Sequence, residues 1–420
     1  MRISRAKAIV AGAASILLLA AGCSSGDNGT GSSGSDVTLT ISRWAGPHAD
    51  ASVQLLKEFT KETGIKVRVD AIDYAQLKQK QVLAAQNKTG DYDLLYVPEA
   101  WYQEYNKAGY LVPLDSYIDA AGADVNKADF NKTALDITSS GGKIYGLPDF
   151  LQTDLLVYNK DELAANNIQV PKTWDELVAA AKVFKDKGTG IAFPGRQGNA
   201  VVDVLGIVAK GDGSGLFDAG GKLALTSQPV VDSATFLTNL MKQSLNGSAG
   251  WHYDETTKAI QFGQAPLGIC ISGLFSVAED PAQSKVAGKL GYAPIPYQQS
   301  PAGLLATWNY SIPVGSKHEK EAFQLANWLT SKDTQIKMIQ AFPGHLSLRT
   351  SVFDDPSLAA KAPWLPVVKD TLSNASTPPL QANGAKLTDA LGAGMNGLFV
   401  KGGDPAQMLQ SVQSQLASDF

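Results

Sequence analysis

The sequence predicts an α/β protein of two lobes, and three observations carry that prediction. At 420 residues the chain exceeds what one ordinary hydrophobic core holds, so two domains are expected. Between Val37 and Val97, runs of alternating polarity and runs of helical periodicity follow one another, which is the order of a parallel α/β sheet. The stretch Gly142–Asp161, GKIYGLPDFLQTDLLVYNKD, holds two extended runs, Lys143–Leu147 and Leu155–Tyr158, joined by a polar bend at Pro148. Proline fixes its own φ and keeps the preceding residue out of the helical region. Strands joined that way suit a crossing between lobes better than a tight hairpin.

The chain opens on Arg2, Arg5 and Lys7, then an apolar run Ala8–Ala20, then small residues before Cys23. This is the pattern of a secretory signal, too short for a spanning helix. LAAGC, Leu19–Cys23, resembles the bacterial lipoprotein box, which implies that Cys23 is acylated and begins the mature chain. Cys270 lies in the apolar run PLGICISG and reads as a buried small hydrophobe, not a disulfide partner. Ser24–Asp36, SSGDNGTGSSGSD, is a Gly/Ser tether reaching on the order of 20 Å. Residues 1–22 are thus expected as signal peptide and 23–36 as lipidated cysteine and tether.

In Val37–Ser42, apolar Val37, Leu39 and Ile41 alternate with Thr38, Thr40 and Ser42, which predicts a half-buried strand. Leu55, Leu56 and Phe59 at helical spacing predict a helix over about 51–63, stopped by Gly64. Ile65, Val67 and Val69 alternate as a second strand. A helix follows over about 74–86, then the apolar strand Tyr92–Val97. Thr173 and Glu176 form a capping box at the head of a further helix. Another helix is expected over about 230–243, and Asp404-Pro405 opens the last one as N-cap and first-turn proline. Lys210–Lys222 is a glycine-rich surface loop by composition.

Several strings resemble one family. GK-hydrophobic-YG-hydrophobic-P…YNKD in Gly142–Asp161 is similar to the first crossover of the maltose-binding type of extracellular solute-binding protein, which serves ATP-driven importers. PKTWDEL (171–177), AIQFGQAPLGICISGLF (259–275), WLTSKDTQ (328–335) and PGHLSLR (343–349) follow at the family's places. Leu267 and Phe275 stand where methionine and tryptophan are common. The resemblance covers about Val37 to Phe420. It implies a two-lobed periplasmic-binding-protein-like fold with discontinuous lobes joined by crossover segments. Lobe one is expected as 37–149 plus 308–346, and lobe two as 150–307 plus 347–420. It also implies ligand capture without turnover, hinge closure, delivery to a membrane permease and an extracytoplasmic location.

The charge balance excludes other classes. Charged residues make up 18% and the net charge is −4, which gives no reason to expect nucleic acid or an anionic membrane surface. GxSxG at Gly22–Gly26 straddles the lipoprotein box, and GxGxxG at Gly392–Gly397 has no strand before it, so neither marks an active site. His48, His252, His318 and His345 show no ligand spacing, so no metal and no cofactor are expected. Asp149 and Asp154 flank the bend, and paired carboxylates serve glycosidases. They read instead as hydrogen-bond acceptors, because nothing else resembles such an enzyme.

The candidate binding residues follow from sugar chemistry. A sugar or polyol offers an apolar C–H face to an aromatic plate and hydroxyls to polar groups at its edge. Trp44, Trp101, Trp251 and Trp308 fall at strand ends or turns and are the candidate plates, with Phe275 at the family's tryptophan position. Glu99 follows strand 92–97 at the carboxyl-end crevice where open α/β sheets bind ligands. By resemblance, Gln152 occupies the crossing position that bonds ligand hydroxyls. Asp149, Asn309, Arg196 and Arg349 complete the set. Only Arg43, Arg68, Arg196 and Arg349 remain after the leader, too few to clamp an anion readily, so a neutral sugar, oligosaccharide or polyol is expected. The protein is expected as a monomer. The competing readings are a surface glycosidase and a lipoprotein that presents ligand to a sensor.

Overall fold

The computed structural model describes residues 37–380 and 383–420; the signal peptide, Cys23 and the tether lie outside the described residues. Two mixed sheets organise the molecule. The larger has six strands in the order Leu346–Ser347, Leu147–Gln152, Ala306–Ser311, Leu94–Pro98, Thr38–Trp44, Lys66–Ile72. The smaller has four, in the order Leu290–Ala293, Asp154–Asn159, Leu267–Ile271, Ile191–Ala192.

The first strand is not half-buried as its alternation predicts. Thr40, Ser42 and Arg43 are as buried as Leu39 and Ile41. Helices cover both faces, and the polar side is satisfied inside: Gln81, on the helix Tyr74–Asn87, donates to Ser42 Oγ at 3.2 Å. Three parallel strands align their carboxyl ends, with Trp44 opposite Ile72 and Ser42 opposite Leu95. The strand Ala306–Ser311 runs antiparallel and sets Trp308 opposite Pro98. Trp44, Glu99 and Trp308 therefore meet at one sheet edge.

The crossing differs in detail from the sequence expectation. Lys143–Ile144 pairs with Ser139–Ser140 in a small hairpin, and the crossing strand is Leu147–Gln152, with Pro148 inside it. Pro148 is tolerated because the ladder shifts register between Trp308 and Asn309, and Leu346–Ser347 pairs only with Leu151 and Phe150. No ladder N–H is needed where proline sits. The chain leaves the larger sheet at Thr153, not at Asp149, and enters the smaller sheet at Asp154. Thr153 is tied to its surroundings: its N–H donates to Ser272 Oγ, and its Oγ1 accepts from Leu304 N–H at 2.9 Å. Gly303–Leu304 leads back to the larger sheet and pairs in parallel with Ala375–Ser376.

Each sheet has its own core. One cluster joins Leu39, Phe59, Tyr96, Trp308 and Phe323. A second joins Leu156, Phe184, Leu205, Leu237 and Leu391. A third, with Leu151, Leu155, Leu305, Leu346 and Trp364, lies at the crossings. Trp174 is buried against Phe236 at 4.9 Å, while Trp328 is half-buried and donates to Glu62. The capping box at Thr173 and Glu176 and the N-cap at Asp404 are present. The glycines of Gly392–Gly397 lie within the helix Gly384–Lys401.

Candidate functional site

A cleft of about 1100 Å³ opens at the carboxyl edge of the larger sheet and is shared by both lobes. The lobe of the larger sheet supplies its aromatic wall. Trp308 touches four rings: Tyr96 stacked at 5.1 Å, Trp44 tilted at 5.9 Å, Tyr74 edge-on at 6.0 Å and Trp101 edge-on at 6.5 Å. Trp44, Tyr74, Trp101 and Trp308 line the cleft, and Tyr96 lies behind them. Gly46 shapes this wall: a Cβ there would run into the Trp44 ring at Cζ3, so only glycine lets the chain pass over the ring.

The lobe of the smaller sheet faces this wall with Asn199, Asp203 and Ile271 and, from the helix Gly384–Lys401, with Thr388 and Asp389; Pro378 and Pro379, ahead of that helix, line the cleft as well. Gln152 lies between the lobes on the crossing strand, its amide against Gly273. Glu99 and Asp203, both in the cleft lining, are carboxylates with displaced titration. Burial, with the charge of Asp203 added, pushes Glu99 up to about 7, although Thr307 N–H donates to it at 2.7 Å. Burial likewise pushes Asp203 up to about 7 against a single donor, Asn199 Nδ2 at 3.1 Å.

Behind the aromatic wall runs a buried hydrogen-bond chain. Arginine has donors only, so Arg43 donates to His48 Nδ1. His48 Nε2–H must then donate to His345 Nδ1 at 2.8 Å, and His345 Nε2–H to Gln335 Oε1 at 2.9 Å. Gln335 Nε2 donates to Asp149 Oδ1 at 2.7 Å, and Tyr96 OH to Asp149 Oδ2 at 2.8 Å. Both imidazoles are neutral: burial and the Arg43 charge press His345 down to about 3 and hold His48 well below its ordinary value. Donor atoms of His48, Asp149 and His345 lie within 4.8 Å of one another. The chain accounts for that proximity. A metal there would take lone pairs already committed to hydrogen bonds, beside a buried guanidinium.

Residues 45–336 match the family described as bacterial extracellular solute-binding protein. The chain belongs to that family. A probable amino-acid ABC transporter periplasmic-binding protein of Sinorhizobium fredii is 29% identical over 83% of this chain and 81% of its own length. An arabinooligosaccharide-binding protein of Bacillus subtilis is 25% identical over 82% and 81%. The solved ABC-transporter solute-binding protein of Agrobacterium radiobacter K84 in complex with ribitol superposes with a TM-score of 0.79, at 26% identity over 92% of this chain and 99% of that one. These relatives are binding proteins, and the fold is the two-lobed one of this family.

As a solute-binding protein, the chain brings together part of the expected residue set. Trp44, Glu99, Trp101, Gln152 and Trp308 line the cleft. Trp308 does so while only 8% exposed, so one ring serves both cleft and core. The other candidates lie away from the lining. Asp149 is the acceptor end of the buried chain. Asn309 is buried in its strand and donates to Val97 O and Thr307 Oγ1. Arg349 is a structural clamp: it donates to Thr330 O and Val125 O, pairs with Asp129 at 3.5 Å and lies over the Phe130 ring. Phe275 packs with Tyr292 and Trp364 in the third core, and Trp251 is half-buried against that core. Arg196 is exposed, with its backbone tied to Trp251 O.

Tyr74, Asn199, Asp203 and Asp389 were not anticipated. Asp203 had a legible signal, a lone acid inside the apolar helical run AVVDVLGIVA. Tyr74 opens a helix as an exposed aromatic, which single-chain reading does not separate from a surface tyrosine.

Proposed function

We propose that this solute-binding protein captures a carbohydrate or polyol outside the cytoplasmic membrane and delivers it to the permease of an ATP-driven importer. The observation that carries the reading is the aromatic-walled cleft shared by the two lobes. Its rings offer a plate for an apolar C–H face, while Gln152, Asn199, Glu99 and Asp203 stand where hydroxyls need partners. Contacts from both lobes coexist only when the cleft is closed, so ligand shifts the population toward closure about Thr153 and Leu305. Ribitol in the Agrobacterium protein and arabinooligosaccharide in the name of the Bacillus protein support this class. An amino-acid ligand, as the Sinorhizobium name suggests, would need a cation for its carboxylate. Among the described residues no arginine lines the cleft, and Lys78 is already paired with Glu104, which leaves Lys107 against the carboxylates of the lining.

No turnover is part of this reading, and the protein acts as a monomer held to the membrane through acylated Cys23. Among the described residues no helix is long and apolar enough to cross a membrane. Thermal-shift screening of sugars and polyols tests the ligand class, since ligand at 100 times its dissociation constant adds about 2.7 kcal/mol of apparent stability. Binding of none of them, or consumption of one during incubation, overturns the reading. Cys23→Ala should release the protein from membranes with binding intact; retention after a high-salt wash overturns the anchor.

A further inference from the structure

The charge of the cleft is uneven. Glu99, Glu104, Asp203 and Asp389 line it against Lys78 and Lys107. Lys78 is spent: its Nζ donates to Glu104 at 2.6 Å and lies 5.8 Å from the Trp101 ring centre. Asp203 is 7% exposed and lines the cleft, and among the described residues its Oδ1 has no donor. Directly after the crossing, Asp154 is fully buried; Tyr253 OH satisfies its Oδ2, while Oδ1 has no partner. Asp154 also acts electrostatically with Asp203. Acidic groups from both lobes thus converge with little positive charge among them.

A buried carboxylate without a cation is costly, and a carboxylate left with a free oxygen at a binding cleft selects for what supplies the missing donor. Hydroxyls supply donors but no charge. An ammonium supplies both, and it suits the opposite wall as well, because the faces of Trp and Tyr rings attract cations. Four such rings, Trp44, Tyr74, Trp101 and Trp308, stand on the Glu99 side.

We propose that the ligand of this cleft is a polyhydroxylated compound carrying a protonated amine, an amino polyol or aminosugar, whose ammonium is held between Glu99 of one lobe and Asp203 of the other. This rests on the carbohydrate or polyol reading and sharpens it. The ammonium neutralises two like charges that otherwise face each other on closure, so the charged ligand favours the closed form more than its neutral counterpart does.

Calorimetry with matched pairs tests the idea: glucose against glucosamine, galactose against galactosamine, and sorbitol against 1-amino-1-deoxysorbitol, at pH 7.5 in low salt. The amine of a pair is expected to bind at least about ten-fold more tightly, equivalent to about 1.4 kcal/mol. Asp203→Asn should erase most of that ratio, because the amine member of each pair loses more affinity than the neutral one. Equal or tighter binding of the neutral member overturns this inference and leaves the carbohydrate reading standing. An amine preference that survives in Asp203→Asn and in Glu99→Gln overturns the assignment to these carboxylates. Binding of no member of any pair removes the carbohydrate reading and this inference with it.

Discussion

Asp149 and Asp203 are both buried carboxylates of this chain, and burial raises both, to about 6 and about 7. Their surroundings differ in one respect. Asp149 receives Tyr96 OH and Gln335 Nε2 and stands at the end of a chain that begins at the Arg43 guanidinium. Each donor in that chain points the same way, so a buried cation and a buried anion communicate through two neutral imidazoles and an amide. Asp203 has Asn199 alone and keeps an oxygen open to the cleft. A carboxylate completed from within the protein holds structure. One left incomplete at a cleft waits for something from outside.

The largest expected effect breaks the completed site. Asp149→Ala leaves Arg43 buried without its anion and strips the acceptor from Tyr96 and Gln335, which should cost about 3–5 kcal/mol. Chemical denaturation reads this directly. A loss below about 1 kcal/mol would mean that the relay does not hold the wall.

Next comes Trp308→Ala, at the boundary between the two regions. Because the ring is core on one side and cleft on the other, folding stability should fall by about 3 kcal/mol and affinity by roughly thirty-fold. A variant that lost only one of the two would assign the ring to one region alone.

Asp203→Asn should act in the opposite direction on the ligand-free protein. A carboxyl raised from 3.8 to about 7 on folding binds its proton more tightly in the native state. Native stability therefore falls as pH rises through that window. Replacing Asp203 removes this loss, so the variant should gain about 2–3 kcal/mol on the wild type between pH 4.5 and 7, then run parallel above. A constant offset across that range would show that Asp203 is not buried in the ligand-free form.

The smallest effect concerns His345. A histidine lowered from 6.5 to about 3 on folding stays neutral while the unfolded chain takes up a proton. Its contribution is complete above pH 6.5 and declines on acidification toward 3. The stability of wild type relative to His345→Gln should drop by about 1–2 kcal/mol between pH 6.5 and 5. Parallel curves would place the proton elsewhere in the chain.

The expectation of α/β lobes and of a crossing near Pro148 rested on periodicity, proline chemistry and a string of family motifs. These are local signals, and helices and strands obey them closely: the capping box at Thr173, the N-cap at Asp404 and the strand ahead of Glu99 lie where the residues put them. The edge location of Trp44 and Glu99 was equally accessible, because parallel strands bring their carboxyl ends together, whereas Trp308 joins them from an antiparallel strand. Local signals fail where one residue type can serve two fates. Arg349 and Asn309 carry the same donors whether they face a ligand or a backbone carbonyl. Only tertiary structure shows that Thr330, Val125 and Val97 consume those donors first.

Likewise, nothing in the run Pro47-His-Ala-Asp50 reveals that His48 will meet His345 across 297 positions of chain. Nor does Asp203 in its apolar helix announce that it will face Glu99 across a cleft. Residue identity determines which bonds a side chain is able to make. The partner that arrives, and so the split between a carboxylate that holds the protein together and one left open to a ligand, is decided by how distant segments pack, because hydrogen bonds and burial act over a few ångströms of space and are indifferent to distance along the chain.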